Sequence, residues 1–383
     1  VEKDMKHLML AASVLVLAAC GASNEPARAH EDATSATPAQ DRAPRSPLSN
    51  HSETRTFGDW TAVCDNGADC STYSGVKDFG SGWIMISMPA GPDARPHVRI
   101  GEWGFTRGPL SLAIDGRRIP AVSPSKAADE EDGALFDQSG PDARAFIDRL
   151  AQGQGLTVDA PDPDAGGSIS LQGLAAALLW IDERQGRLDT TTALIRKGPR
   201  PSSAVPAGPD LPVVRPAPAV SQADLPTAPV LPASLEALAA VKTCRADMDW
   251  GNGAQPPRDD RVVRLSSDTL LWSVLCFQGA YNTGHRFFLS DLDGRNPVAV
   301  LLRSSAAPEG PDEDAYVLIN AAYDPETRTI SSFAKGRGLG DCGGAYSWTW
   351  TGREFDLTDE RFMDKCAGMP ADLWPTRWRS RQS

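Results

Sequence analysis

The stretch KGRGLGDCGGAYSWTWTG, Lys335 to Gly352, gathers glycines around an arginine, an aspartate and a cysteine. A phosphate-binding loop needs a strand, then glycines whose N–H groups face the ligand, then Lys-Ser/Thr opening a helix. Here Lys335 precedes the glycines and a strand-like run follows them, so the order is wrong for a nucleotide. A nucleophilic Cys342 needs a base within hydrogen-bond reach, and from Ala233 onward the chain offers only His285. A turn pinned beside a disulfide is the reading that uses every residue, with glycine allowing the tight path. Trp348 and Trp350 lie two apart and share a strand face. Turned inward they are core. Turned outward they make a platform for sugar rings, with Arg337 or Asp341 to bond hydroxyls, and these four are the candidate ligand-binding residues.

Other chemistry has less to stand on. The chain has no G-x-S-x-G and no H-E-x-x-H, which argues against a serine hydrolase of that type and a zinc peptidase. Asp291, Asp293, Asp312, Glu313 and Asp314 supply carboxylates of the kind that cleave glycans in pairs, though acidic loop clusters are usually solvated surface. Asp291-Leu292-Asp293-Gly294 opens like a calcium loop but lacks the third ligand and the closing Glu, so a hairpin turn is expected. No catalytic residue, metal or cofactor is assigned.

Seven cysteines are present. Setting Cys20 aside leaves Cys64, Cys70, Cys244, Cys276, Cys342 and Cys366, an even set that in an exported protein reads as three disulfides. Zinc is the competing reading, but no CxxC occurs and the folded part adds only His97 and His285. Cys64 and Cys70 close a small loop worth about 2 kcal/mol in the chain-entropy model. The other four permit three pairings; the expected one joins Cys342 to Cys366 across one strand-turn-strand unit and Cys244 to Cys276 around the domain's first strands, and crossing the pairs, which would join the ends of the domain, is the alternative.

Around these residues the apolar pattern is mainly that of strands. TFGDWTAVC, GWIMISMPA, HVRIGEWGF and PLSLAIDGRRIPAV alternate with turn signals at Asn66-Gly67 and Asp115-Gly116. Helices are predicted from about Pro141 to Gln152 and within SISLQGLAAALLWIDERQGRL, where Glu183 is placed to pair with Arg187. From Ala233 a short helix leads into strand runs spaced as an antiparallel meander. The fold class is therefore mainly β: residues 54–197 as a β-sandwich with two helices, residues 233–383 as an all-β disulfide-containing domain, and between them a Pro/Ala-rich linker, 198–232, expected to be an extended spacer outside either core.

From Met5 the run MKHLMLAASVLVLAAC has a basic flank and an apolar stretch too short to span a bilayer, after residues 1–4 that read as an upstream start. Leu17-Ala18-Ala19-Cys20-Gly21 is similar to the bacterial lipobox, which makes residues 1–20 a lipoprotein signal and Cys20 the lipidation site; an ordinary cleaved signal is the alternative. Gly21 after the cysteine implies, by resemblance to Gram-negative sorting, the outer membrane, facing the periplasm. Residues 21–53 have no apolar periodicity and form a tether spanning roughly 30 Å. With 38 Lys and Arg against 50 Asp and Glu, net −12, nucleic acid is a poor partner. The expected partners are the membrane, through the lipid, and an envelope protein or glycan.

Several blocks carry a family likeness: Phe57-Gly58-Asp59-Trp60-Thr61, Cys64-Asp65-Asn66, ISLQGLAAALLWIDERQGR, AYNTG, AYDPETRTISSFAKGRGLGDCG and Trp374-Pro375-Thr376-Arg377-Trp378. From about Thr54 to Trp378 the chain resembles the proteobacterial family catalogued as domain of unknown function 1176. Its first domain also resembles the invasion-associated locus B family in the FGDW start and a Gly-x-x-x-Ala-Leu helix. The resemblance implies an envelope location and this architecture, and it supplies no catalytic residue. The function expected is that of a non-enzymatic envelope binding protein; the alternative is a hydrolase of envelope glycan or peptide using carboxylates. Replacing Cys20 with Ala should move the protein from the membrane pellet to the soluble fraction; a variant that still pellets after a high-salt wash places the anchor elsewhere.

Overall fold

The run Trp83–Met88, WIMISM, is apolar at nearly every position, and a strand of that kind has two faces to bury. In the computed structural model, which describes residues 48–77, 81–102, 110–119, 135–159, 166–248, 258–305 and 317–383, it is a central strand of a six-stranded antiparallel sheet. Strands β1 (Glu53–Phe57), β2 (Trp60–Cys64), β3 (Cys70–Gly75), β4 (Trp83–Met88) and β5 (His97–Gly101) run as a meander. The chain then leaves for β6 (Ser111–Ile114) and β7 (Arg117–Arg118) and returns as β8 (Leu135–Ser139) beside β5. Helix α1 (Gly140–Leu150) follows, then β9 (Gly155–Asp159) and β10 (Gly166–Ser170), which join β6 and β7 in a four-stranded sheet, and helix α2 (Leu174–Arg184). Ile84, Ile86 and Met88 point into a core shared with Leu112, Phe146, Leu156 and Leu178. Trp83 and Met85 point the other way.

The FGDW and ISLQG blocks turn out to be one joint. Asp59 N–H donates to the Gln172 carbonyl at 3.1 Å. Gly58 has φ +55° and Gly173 φ +101°. A Cβ on Gly173 would sit 1.8 Å from the Phe57 carbonyl oxygen, so only glycine lets the start of α2 approach the β1–β2 turn. The expected Glu183–Arg187 pair is not made, because α2 ends at Arg184. Arg187 is instead fully buried and donates to Gln185 Oε1, Thr192 Oγ1 and the Pro89 and Gly91 carbonyls. Burial pushes its guanidinium down to about 10.

The linker departs from the expectation of a free spacer. Val205, Val214, Ala217 and Leu231 are buried, and the described residues fall within one compact unit, Arg45–Ser383. Ala217 N–H donates to the Trp350 carbonyl at 2.8 Å, and the Gln222 side chain mimics a strand partner, bonding Arg264 N–H and C=O at 2.8 and 2.9 Å. Strand β11 (Val213–Val214) gives the segment a ladder of its own. Its prolines remove donors, as the composition requires, but Val205, Val214, Ala217 and Leu231 are seated while Val213 and Val230 stay exposed.

The second half begins with α3 (Ala233–Glu236) and α4 (Ala239–Asp247) and continues as two meanders. One orders β12 (Arg261–Arg264), β13 (Leu270–Gln278), β14 (Thr283–Ser290) and β15 (Val298–Ala299), with β16 (Leu318–Ile319) also on β14. The other orders β17 (Ala322–Asp324), β18 (Thr329–Lys335), β19 (Gly343–Trp350), β20 (Phe355–Met363) and β21 (Thr376–Arg379). Strand β22 (Arg381–Gln382) runs parallel to β11. The mainly β class holds, and the three disulfides are Cys64–Cys70, Cys244–Cys276 and Cys342–Cys366, the pairs expected.

Between the halves lies a shared apolar cluster: Val63, Tyr73, Trp83 and Met85 from the first sheet against Met363, Met369 and Trp374. Tyr73 Oη donates to Asp364 Oδ1 at 2.9 Å across the same seam. Limited proteolysis of the native protein should therefore spare residues 198–232. Rapid cleavage there, releasing two resistant fragments, would mean that the segment is not packed in solution.

Candidate functional site

The residues that the sequence singles out build a turn. Lys335 ends β18 and Gly343 begins β19, and the residues between form the hairpin loop, with Gly336 N–H on the Cys342 carbonyl at 2.8 Å. Arg337 grips Asp341 through Nε at 2.7 Å and Nη2 at 2.5 Å. Burial pushes the Asp341 carboxyl up, but Arg337 and the Gly368 N–H outweigh it and hold it below its ordinary value. Asp341, Cys342 and Cys366 bring ligand atoms within 4.8 Å of one another, yet the two sulfurs are bonded to each other, which leaves a metal one carboxylate. Trp348 and Trp350 are 2% and 3% exposed, packed in the second-half core, with Trp348 Nε1 donating to the Arg303 carbonyl. The outward platform is thereby corrected: Arg337 and Asp341 hold each other, and the two indoles face away from solvent. Asp291 and Asp293 form the expected hairpin turn, Asp291 Oδ1 accepting from Asp293 and Arg295 N–H. Cys20, Asp312, Glu313 and Asp314 lie outside the described residues.

A different place brings charges together. The Cys64–Cys70 loop projects from the β2–β3 turn, where Asp65 Oδ1 accepts from Gly67 and Asp69 N–H at 2.8 and 2.9 Å. The left-handed residue is Ala68, φ +63°, rather than the Asn-Gly pair that the sequence suggests. Gly67 serves close approach instead: a Cβ there would lie 2.5 Å from an Arg379 nitrogen. Arg379, on β21, places Nε 2.6 Å from Asp65 Oδ2 and Nη2 2.7 Å from Asp69 Oδ2. The Asn66 amide bonds both the C=O and the N–H of Arg379, at 2.9 and 3.0 Å.

This clasp forms one end of a cleft of about 280 Å³ between the halves. Its floor is the outer face of the first sheet, Ser71, Met85, Ser87 and Arg99, and its opposite wall is Arg361 with the segment Asp372 to Thr376. Two blocks of the family likeness, Cys64–Asn66 and Trp374–Trp378, thus meet across it. Arg99, Arg361 and Arg379 carry no local sequence signal, since strands bring them from positions far apart in the chain.

Three arrangements decide what chemistry is available. Ser87 lies opposite His97 in the β4–β5 register, and His97 Nε2 meets Asp137 Oδ1, a Ser-His-Asp row that the sequence did not reveal. Acyl transfer also needs backbone N–H groups free to hold an oxyanion, and β4 is paired on both sides, to β3 and β5. No hydrogen bond joins Ser87 to the imidazole among the described residues. Asp65 and Asp69 share one guanidinium, which leaves neither to serve as a free acid. A second groove, about 420 Å³, is lined by Thr329, Ser331, Ser347 and Thr358 with Asp324 and Asp359. There, Thr327 and the Glu326 N–H hold Asp324 below its ordinary value, while burial pushes Asp359 up. Yet β17 and β20 are three strands apart, about 14 Å at ~4.8 Å per strand, beyond the roughly 5–9.5 Å of glycosidase pairs.

The Asp65 clasp has a pH signature. Burial pushes the Asp65 carboxyl up to about 6, against the opposing pull of Arg379. A raised carboxyl favours the protonated folded form, so its contribution is full below pH 3.8, the ordinary value, and is lost as pH rises through about 6. A shift of roughly two units corresponds to about 3 kcal/mol. The stability of the wild type relative to Asp65→Asn should fall by up to that amount between pH 4 and 7 in denaturant unfolding; a pH-independent difference would mean that Asp65 is not desolvated in the clasp.

The comparisons add a family and a relative to which no activity is assigned. Over 353 residues, 85% of this chain and 93% of the relative, the chain is 29% identical to the uncharacterized protein YpfG of Escherichia coli K12. No solved structure matches it. A family model described as protein of unknown function (DUF1176) matches residues 54–381, the span that contains both halves, the packed linker and both walls of the cleft, and the chain belongs to that family.

Proposed function

We propose that the protein is a non-enzymatic binding protein of the bacterial cell envelope, anchored at Cys20 in the outer membrane and facing the periplasm, with the cleft between its halves as the ligand seat. The observation that carries this reading is the cleft's construction. Arg379 is tied to Asp65 and Asp69, and Arg99 to Asp137 at 3.2 Å, so the charged groups are fixed in place before any ligand arrives, as a binding site requires. Among the described residues that line it, none pairs a nucleophile with a base and an oxyanion hole. The lipobox and the three cysteine pairs support the compartment, and the likeness of residues 54–197 to the invasion-associated locus B family is in keeping with it.

Ser87 lies on the cleft floor and half-buried, so Ser87→Trp should fill the seat. Full-length protein immobilised in detergent is exposed to envelope extract, and retained molecules are identified by mass spectrometry. The wild type should retain a ligand that Ser87→Trp loses at an unchanged melting temperature. Identical retention by both, or catalytic turnover of an envelope component, would remove the reading.

A further inference from the structure

The three disulfides differ in what can reach them. Cys64, Cys70, Cys244, Cys276 and Cys342 are buried, whereas Cys366 is exposed. Its bridge to Cys342 lies beside the β18–β19 loop, where Gly336 and Gly338 are exposed as well. A Cβ on Gly336 would lie 2.8 Å from Cys342 Sγ, so glycine leaves clear a space that a side chain would crowd. Thiol–disulfide exchange depends on access to one sulfur and on how well the other leaves as a thiolate. Cys366 meets the first condition. For the second, the Asp341 carboxylate lies within 4.8 Å of the sulfurs, and Arg337 grips it through two nitrogens. A thiolate expelled on Cys342 therefore meets an ion pair rather than an uncompensated carboxylate.

The bridge also holds a part of the molecule in place. Cys366 lies in the connection between β20 and β21, residues 364–375, which supplies one side of the seam and one wall of the cleft. Asp364 Oδ1 accepts from Tyr73 Oη at 2.9 Å, and the Ala367 carbonyl accepts from Gly82 N–H at 3.0 Å. Ala367 and Met369 are buried against the first sheet, so closely that a Cβ on Gly75 would lie 2.3 Å from the Ala367 methyl. Towards the hairpin, Gly368 N–H donates to Asp341 Oδ2 at 2.7 Å. Cys342–Cys366 is the covalent tie between this connection and the β18–β19 hairpin.

We infer that Cys342–Cys366 is a thiol-exchange site whose substrate is an external dithiol, and that its reduction releases the β20–β21 connection from the hairpin while the other two bridges stay closed. The dithiol loses a proton to solvent, and the thiolate so formed attacks Cys366 Sγ. The Cys342–Cys366 bond breaks, its electron pair leaves on Cys342 Sγ, and that sulfur takes the proton of the second thiol. The second sulfur, now a thiolate, attacks the first and expels Cys366 as a thiolate, which takes a proton from solvent. The dithiol ends as a disulfide, and the protein has gained two electrons and two protons. Exchange at this bridge goes beyond ligand binding and does not depend on what the cleft takes.

Full-length protein in detergent is titrated with dithiothreitol, quenched with iodoacetamide and mapped by mass spectrometry. Cys342 and Cys366 should be alkylated roughly tenfold faster than the other four cysteines. Glutathione, a monothiol that cannot complete the second attack, should leave its mixed disulfide on Cys366 and not on Cys342. In the selectively reduced protein, amide hydrogen exchange at Gly82 and Gly368, whose bonds hold this connection, should quicken roughly tenfold or more, while the amides of α2 keep their rate. The double variant Cys342→Ser, Cys366→Ser should show the same quickened exchange with no reductant present. Another bridge opening first or together with this one, an adduct on Cys342, unchanged exchange at Gly82 and Gly368, or unfolding of the whole chain overturns the inference.

Discussion

The structure depends on β4 having apolar side chains on both of its faces. Its even and odd side chains are both apolar, so the first sheet needs a cover on each side, and α1, α2 and the small sheet cover only one. The second cover comes from the other half, as Met363, Met369 and Trp374 against Tyr73, Trp83 and Met85. Burying such side chains is worth about 1.5–3 kcal/mol each, enough to make the seam a main contributor rather than a contact between independent bodies. The cleft exists because this cover is incomplete. Where the floor changes from Tyr73 and Trp83 to Ser71, Ser87 and Arg99, the apolar contact stops and a gap opens, rimmed by the charged clasp.

Much of the fold was legible from the chain alone. Period-2 runs and turn residues located most strands, the helix patterns fell within a few residues of α1 and α2, and the three cysteine pairs followed from the strand order. Trp348 and Trp350 illustrate the limit. Their spacing fixed that they share a face but not which face, because Thr349 between them and Thr351 after them are as compatible with a core side as with a solvent side. The linker misled for a related reason. Proline content reports lost donors and an extended backbone, and both are present, but packing needs only an occasional Val or Leu in the right place.

The cleft was less legible. Asp65 stood out only as part of a turn, and Arg99, Arg361 and Arg379 are ordinary strand arginines until the sheets are assembled. The WIMISM run did carry a usable sign, since a strand without polar alternation announces two buried faces and therefore a second cover. The His97–Asp137 contact is a cross-strand pairing between β5 and β8, separated by two other strands in sequence, and no local pattern encodes it. The blocks that carry the family likeness include the structural joint at Gly58 and Gly173 as well as the two cleft walls, so the architecture and the cleft are described by the same short sequences.

The Asn66–Arg379 clasp spans a separation of 313 residues. Contacts of that reach are formed late and slowly, since the chain between must be ordered first. On the export route proposed above, the first sheet reaches the periplasm before residues 363–379 have arrived to cover it. Through that interval the Trp83 face is bare, and it resembles the surfaces that chaperones hold and proteases clear. The cleft is thus also a mark of completion: it comes into being only when the last strands have docked, so a prematurely ended chain cannot form it.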